Sequence, residues 1–423
     1  MNFAVAGLSY KTAPLDVREK AYIPESAVGE CLQRLIDRDI IESGILLSTC
    51  NRTELYAVTS SPDGDRLRES FGLWPHQLAF DSWRRFAYQL SGDAAMAHLF
   101  RVAAGLDSMV LGEGQILGQI KQAFEHAQQV AKLDPSLHVA LRGAIRAGKR
   151  VRHETELGRN AVSVSHAAVA QARNMFGGLR GRGVLLVGAG PMSEVALRLL
   201  RDQGIGETFV TSRTVERAER VALPLGARAI AWDEIDAAAD AVDILLSSSS
   251  APSYLFDVSD VQRMQNLRRL RPLLVLDIAV PRDVDPAVAQ LPGVHLFNID
   301  DLRDAADANL EGRRDAIPAA ERIVAEELDR TRAALQAGAA APTVTALLRR
   351  TQRIRDQALA RHLGRVPATE TRHREAMQRL AADLTARFLD GPLRLLRSSD
   401  DPMVDEAVIR DAFDLGPEAD ADA

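Results

Sequence analysis

The chain has 423 residues, too many for one ordinary core, so two or three domains are expected. Apolar residues make up 46% and charged residues 26%, the balance of a folded chain and not of a disordered one. A formal net charge of −6 argues against general nucleic-acid binding, so a chain that handles nucleic acid would need its positive charge gathered on one face.

No apolar run approaches the roughly 20 residues of a membrane helix. The opening MNFAVAGLSYK has no basic segment followed by an apolar core, so it does not read as a signal peptide. The two cysteines, Cys31 and Cys50, make neither a disulfide framework nor a four-ligand zinc set, and no His-rich spacing suggests a metal. Together these features lead us to expect a cytoplasmic protein with no membrane contact.

Residues 1–155 mix short alternating runs (FAVAGLS at 3–9, ELYAVTS at 54–60) with helical stretches such as 93–104, predicting an α+β domain with a partly antiparallel sheet. Across 160–302, short apolar strands alternate with helices: VLLVG at 184, TFVTS at 208, VDILLSS at 242, LLVLDIA at 273 and HLFNI at 295. Strands apolar throughout and separated by helices predict a buried parallel sheet. From 303 to 410 strand signals vanish. Val344, Leu347, Thr351, Ile354 and Ala358 keep a 3-4 spacing, and Met377, Leu380, Leu384 and Phe388 nearly so, which predicts a helical module whose apolar stripes need a partner. Pro318 predicts a kink or break in a pattern running from Leu302 towards Leu335, and 411–423 a frayed tail.

VLLVGAGPMS at 184–193 places Gly188 and Gly190 between a strand and an apolar helix, the arrangement that lets backbone and helix N-terminus approach a pyrophosphate. The third glycine of the fingerprint is Ser193, and a plain strand-to-helix turn is the bland alternative. At the end of the next strand, where an NAD enzyme carries a carboxylate for the ribose 2′-hydroxyl, the chain offers Ser212, Arg213 and Thr214. A guanidinium there suits a 2′-phosphate, so NADP is preferred to NAD; the alternative is a solvated arginine. The candidate cofactor contacts are Gly188, Ala189, Gly190, Pro191, Met192, Ser193, Ser212 and Arg213.

GILLSTCNRTELY at 44–56 reads as a strand, a polar turn and a second strand, with Cys50 at the turn. An isolated cysteine is usually a core residue, as Cys31 would be on its helix. Cys50 differs because polar residues flank it at a strand end, where a nearby cation would favour the thiolate.

This segment resembles the active-site stretch of the glutamyl-tRNA reductase family. GLSYKTAPLDVRE at 7–19, AGLDSMVLGEGQILGQIKQAF at 104–124, VGAGPM with SRT, and DIAVPRDVDP at 277–286 resemble further signatures of that family, in order along about seventy per cent of the chain. The resemblance implies three domains: an N-terminal α+β catalytic domain binding the glutamyl group and tRNA, a Rossmann-type NADPH domain, and a C-terminal all-α dimerisation domain. By the same resemblance Cys50 matches the nucleophile and His98 the histidine near it, while Thr49, Asn51, Arg52, Ser108, Glu113, Gly114, Gln115 and Gln119 match positions lining the glutamyl pocket. The bland readings are a satisfied helix histidine for His98 and a solvated helix face for Glu113 and Gln119. Pro191 stands where the family usually has Glu, and Ser212 where Asn usually precedes the Arg.

The chemistry suits these residue types. A thiolate displaces the tRNA 3′-oxygen from an already activated ester and holds the acyl group as a thioester, more open to hydride than an oxyester. Arg52 is suited to a bidentate grip on the γ-carboxylate, and His98 to moving protons. The resemblance implies NADPH, glutamyl-tRNA(Glu), glutamate-1-semialdehyde as the product feeding 5-aminolevulinate and tetrapyrroles, a V-shaped homodimer joined by the C-terminal helices, and an aminomutase receiving the aldehyde. Arg142, Arg146, Lys149, Arg150 and His153 fall on one helical face that either meets phosphate or is simply solvated. Two rival readings remain: a small hydroxy-acid NADP dehydrogenase similar to shikimate dehydrogenases, and a non-catalytic NADPH-binding adaptor.

Overall fold

A computed structural model describes residues 2–60, 66–67, 70, 85–109, 111–158, 164–188, 190–302, 315–367, 370–398 and 402–415. The chain divides into two compact units, Met1–Glu327 and Leu328–Ala423.

The first unit opens with a four-stranded antiparallel sheet built from β1 (Phe3–Ser9), β2 (Ser43–Ser48), β3 (Arg52–Val58) and β4 (Tyr88–Ser91), in the order β2-β3-β1-β4. Alternating exposure was expected, yet β1 and β3 are buried at every residue. Helices α2 (Glu25–Asp37), α3 (Gly92–Ala103) and α4 (Gln115–Val130) pack on the sheet and close it from water. Burial on this scale obliges the polar side chains of β3 to satisfy one another. Gly7 lies opposite Glu54, and a Cβ on it would sit 2.6 Å from the Glu54 Cγ, so its bareness makes room for that carboxylate.

Past α5 (Pro135–Glu154) and α6 (Val164–Phe176) comes the expected parallel sheet. Its strands are β5 (Val184–Val187), β6 (Thr208–Thr211), β7 (Arg228–Ala229), β8 (Ile244–Ser247), β9 (Leu273–Asp277) and β10 (Val294–Asn298), ordered β10-β9-β8-β5-β6-β7. The order reverses between β5 and β8, the switch point at which doubly wound folds bind nucleotides. The two-residue β7 has no counterpart in the sequence reading, being too short to show a pattern.

The two parts of this unit share one apolar cluster. Leu15 and Met109 are buried with Val164, Ile278, Val280 and Leu302, and Tyr10 and Cys50 pack against them. Helix α1 (Leu15–Ala21) adds two polar clamps. Arg18, 2% exposed, donates from Nη1 to the Cys50 carbonyl (2.6 Å) and from Nη2 to Asp300 (2.5 Å). Its neighbour Glu19 accepts the Arg282 backbone N–H and both ends of that guanidinium, at 2.7–2.9 Å.

Pro318 does not kink a helix. It lies in the first turn of a 47-residue helix, Ile317–Leu363, where its missing N–H has no partner to lose. The opening turns of that helix belong to the first unit: Ala320, Ile323 and Val324 are buried, and buried Glu327 accepts from Arg146 (2.8 Å) and Arg150 (3.0 Å). The basic face of α5 is therefore partly a packing surface, with Arg142, Lys149 and His153 left exposed.

The second unit has a small core of Ala340, Leu347, Leu389, Leu396, Ile409 and Leu415. Thr371–Ser398 forms its second long helix, followed by Pro402–Ala412. The stripe at 377–388 is left open, with Leu380 58%, Leu384 57% and Phe388 66% exposed. Most of the expected tail, 416–423, lies outside the described residues.

These features place a cut. Ending the chain after Gly338 keeps the turns that pack on the first unit and removes the open stripe, so it should yield a monomer whose first unit melts as before. Ending it before Ile317 should in addition lower the melting temperature, because the buried apolar residues and Glu327 are lost. Sedimentation velocity and calorimetry distinguish the two; a shortened chain still sedimenting as a dimer would put the contact in the first unit.

Candidate active site

The turn that presents Cys50 is held by its neighbours. Thr49 Oγ1 accepts the backbone N–H groups of Asn51 and Arg52, both at 3.2 Å, and the Thr49 N–H donates to the Arg52 carbonyl at 2.8 Å. The Asn51 carbonyl accepts the Tyr10 N–H at 2.8 Å. Thr49 thus builds the turn with the hydroxyl that sequence reading offered to substrate.

Cys50, half-buried, borders two spaces. The narrow one holds about 10 Å³ and is walled by Thr49, Cys50, Asn51, Arg52, Ser108, Glu113, Gln115, Ile116 and Gln119. Seven of the eight expected substrate residues therefore meet around the thiol. Gly114 does not line it, and serves as the N-cap of α4.

The wide space measures about 610 Å³. Tyr22, Glu25, Gln119, Gln122 and His126 lie on its catalytic-domain side, and Gly190, Met192, Ser248 and Val280 face them from the doubly wound domain. A third cavity of about 420 Å³ continues from there. Gly190, Ser248 and Ser249 border both, so the wide space beside Cys50 and the cavity walled by Ser212, Arg213, Arg217 and Trp232 adjoin at the β5 turn.

Arg52 is not free to grip a carboxylate. It is 1% exposed, and it donates from Nη1 to Glu54 (2.6 Å) and from Nη2 to the Asp107 carbonyl and side chain (3.2 Å to Oδ1). Glu54, wholly buried, also accepts the Tyr88 and Tyr56 hydroxyls, the latter at 2.5 Å. The Arg52 charge holds the Glu54 carboxyl well below the usual range against the pull of burial, and the Tyr56 and Tyr88 hydroxyls are pushed up by burial and by Glu54. His98 belongs to this network, its Nε2 3.0 Å from Glu54 Oε1. Among the described residues it lines neither space beside Cys50 and connects to the thiol's surroundings through Glu54 and Arg52. Sequence reading missed Glu54, Tyr56, Tyr88 and Asp107 because buried polar partners follow from packing.

The cation expected to favour the thiolate is present but outweighed. Burial, then the charge of Glu113, push the Cys50 thiol up to about 12, with Arg18 acting the other way. Burial likewise raises the Glu113 carboxyl to about 7, opposed by Arg52.

The nucleotide turn fits a dinucleotide. Gly188 has φ +94°, and a Cβ on it would lie 2.7 Å from the Ser248 carbonyl, so only glycine closes this turn. The Ser248 loop is fixed by Asp283, which accepts the Ser247 hydroxyl (2.6 Å) and the Ser249 N–H (2.7 Å). Helix α7 (Pro191–Asp202) begins here and points its N-terminus at the cleft. Ser193 is wholly buried, and its hydroxyl accepts the Gly190 N–H (3.2 Å) and donates to the Gly190 carbonyl (2.8 Å), holding the turn. Met192 faces the wide space. Ala189 lies outside the described residues. Arg213 and Arg217 both border the far cavity, whose lining residues include no carboxylate; Arg217 was not anticipated.

A doubly wound domain opening onto a thiol across one cleft defines the class, an oxidoreductase of the nicotinamide-nucleotide kind. The chain matches the family profiles Glutamyl-tRNAGlu reductase, N-terminal domain, over residues 6–155, Shikimate / quinate 5-dehydrogenase over 170–305, and Glutamyl-tRNAGlu reductase, dimerisation domain, over 319–415. It is 39% identical over 423 residues to the glutamyl-tRNA reductase of Syntrophotalea carbinolica, covering 99% of this chain and 96% of that one. It is 42% identical over 398 residues to that of Desulforudis audaxviator, covering 94% and 89%. Among solved structures it resembles the glutamyl-tRNA reductase from Methanopyrus kandleri at 33% identity and a TM-score of 0.50, covering 98% of this chain and 99% of that one. The chain belongs to the glutamyl-tRNA reductase family. The dehydrogenase rival accounts for its middle third alone.

Because Glu54 is, among the described residues, the carboxylate bonded to Arg52 Nη1 in a fully buried site, Glu54→Gln should cost about 3 kcal/mol of stability, the order expected for breaking a buried ion pair. Urea unfolding measures it. A cost near zero would show that Asp107 alone balances the arginine.

Proposed function

We propose that this chain reduces the glutamyl group of glutamyl-tRNA(Glu) to glutamate-1-semialdehyde with NADPH, through a thioester on Cys50. The observation that carries this reading is the adjoining of the space beside Cys50 and the cavity reaching Arg213 at the Gly190 turn. Cys50 attacks the ester carbonyl, the tRNA 3′-oxygen leaves, and the acyl group stays on the thiol. Bound NADPH would supply hydride to that carbonyl. Gly188, Gly190 and the start of α7 would hold its pyrophosphate, with Arg213 and Arg217 on the 2′-phosphate.

Around the thiol, Gln115, Gln119 and Ser108 offer hydrogen bonds to the acyl group. Arg52 orients the pocket through Glu54 and Asp107, and takes the γ-carboxylate only by exchanging it for Asp107. His98 acts on the thiol's surroundings through the same network. Homodimerisation through the open stripe of the second unit is supported by the exposure of Leu380, Leu384 and Phe388. A cytoplasmic location accords with the two free cysteines. Among the described residues, no helix is long and apolar enough to cross a membrane. An aminomutase as recipient of the aldehyde rests on the family resemblance alone.

Two experiments test the reading. With charged tRNA and no NADPH, the protein should release uncharged tRNA and carry a glutamyl group on the Cys50 peptide by mass spectrometry; Cys50→Ser should do neither. Deacylation no faster than without enzyme would refute the thioester. Arg213→Ala and Arg217→Ala should each raise the NADPH KM about tenfold or more and leave NADH nearly unchanged, since each removes a charge-assisted bond to a phosphate that NADH lacks. Equal losses with both nucleotides would make these arginines structural.

A further inference from the structure

We propose that Glu113 is the general base that takes the proton from Cys50 as the thiol attacks. The inference rests on the thioester reading above and deepens it. A half-buried thiol with no thiolate character at neutrality must lose its proton during attack, and the resemblance offers only His98 for proton work. That histidine is committed to Glu54 and does not line the space beside the thiol.

The other titratable groups near Cys50 are poorly placed or of the wrong kind. Arg18 from α1 donates to the Cys50 carbonyl and has no site to accept a proton. Asp300, beyond β10, is tied to Arg18 at 2.5 Å. Tyr22, just past α1, is pushed up by burial and stays a phenol. His126 stands on the wall of the wide space, 3.3 Å from Glu25.

Glu113 meets the requirements. It borders the same narrow space as Cys50, a space with room for about one water, and a base acts either directly or through one such bridge. It is 8% exposed, and among the described residues no donor is bonded to its carboxylate. A mostly buried carboxyl in a cavity wall, its protonation shifted by burial, is placed for chemistry. The charged group facing it is Arg52, from β3, while the neighbouring Gln115 and Gln119 of α4 are neutral. Its titration near 7 leaves it substantially ionised at neutrality and basic enough to serve.

The step balances. The Sγ–H proton passes to a Glu113 oxygen as the Sγ–C bond forms; when the tetrahedral adduct collapses, the C–O3′ bond breaks and Glu113 returns the proton to the departing 3′-oxygen. Nothing is oxidised or reduced until hydride arrives.

The sign of one measurement separates this role from its alternatives. The full-length protein, with neither tRNA nor nucleotide, is treated with iodoacetamide across neutral pH, and alkylation of the Cys50 peptide is timed by mass spectrometry. In the unmodified protein the rate should rise in a step centred near the Glu113 titration. Glu113→Gln should remove that step and slow alkylation at neutrality at least about tenfold, with Glu113→Asp restoring part of it. Were Glu113 only a nearby charge, its removal would lower the thiol's pKa and make alkylation faster. Were it only a holder of the substrate's α-ammonium, alkylation would not change. Either outcome overturns the proposal, as does a step-free profile in the unmodified protein, which needs no variant to fold. Since no tRNA is present, a normal step beside failed deacylation of charged tRNA would count against the thioester reading and not against the Glu113–Cys50 pairing.

Discussion

Two adjacent residues on a seven-residue helix decide where the chemistry can happen. Arg18 reaches the carbonyl of Cys50 with one nitrogen and Asp300 with another, while Glu19 takes the backbone and guanidinium of Arg282. Arg18 is almost fully enclosed, so its bonds are made away from competing water and are correspondingly firm. They tie the thiol-bearing turn to the far side of the cleft. Without them the antiparallel sheet and the doubly wound sheet would be held by their shared apolar cluster alone, with no directional bond to fix the thiol turn against the cleft. With them, Cys50 packs into the apolar cluster of the nucleotide domain and faces its first turn.

Much of this was legible in the sequence, for reasons that differ from element to element. Strands β5, β8 and β9 announced themselves as short apolar runs because both of their faces are covered, and β6 nearly so, while β10 kept its apolar run at the sheet edge with only Val294 buried. Gly188 was legible because no other residue fits its backbone and the nearby Ser248 carbonyl. Cys50 stood out because a thiol at a polar turn is unusual. What stayed hidden depends on contacts between distant segments. The spacing from Arg52 to Glu54 suggests a shared strand face, but nothing local says that Tyr88 and His98 arrive from other elements to complete the network. Pro318 reads equally as a breaker or an initiator until the chain on both sides is placed. Arg146 and Arg150 read equally as a phosphate-binding or a solvated face because the carboxylate they bond, Glu327, lies far along the chain.

The catalytic-domain residues divide between scaffold and reactive surface. Thr49 and Arg52, two of the residues near the thiol that sequence reading gave to substrate, are largely spent on structure: one shapes the turn, the other is locked between Glu54 and Asp107. Groups so constrained reorganise little when charge develops nearby, which is the property preorganised sites exploit. Glu113 and the glutamines of α4 are the side chains left facing the cavity without such commitments.

The cleft itself carries a thermodynamic consequence. Gly190, Ser248 and Ser249 border both the wide space beside Cys50 and the cavity reaching Arg213, so the two chambers share a wall. Whatever fills one alters the room and the hydration left in the other. An acylated thiol and a dinucleotide bound there are therefore linked ligands, and linkage is reciprocal: the factor by which the first shifts the affinity of the second is the factor by which the second shifts that of the first. A protein that holds its acyl group more tightly when the nucleotide is bound must, to the same degree, hold its nucleotide more tightly once it is acylated.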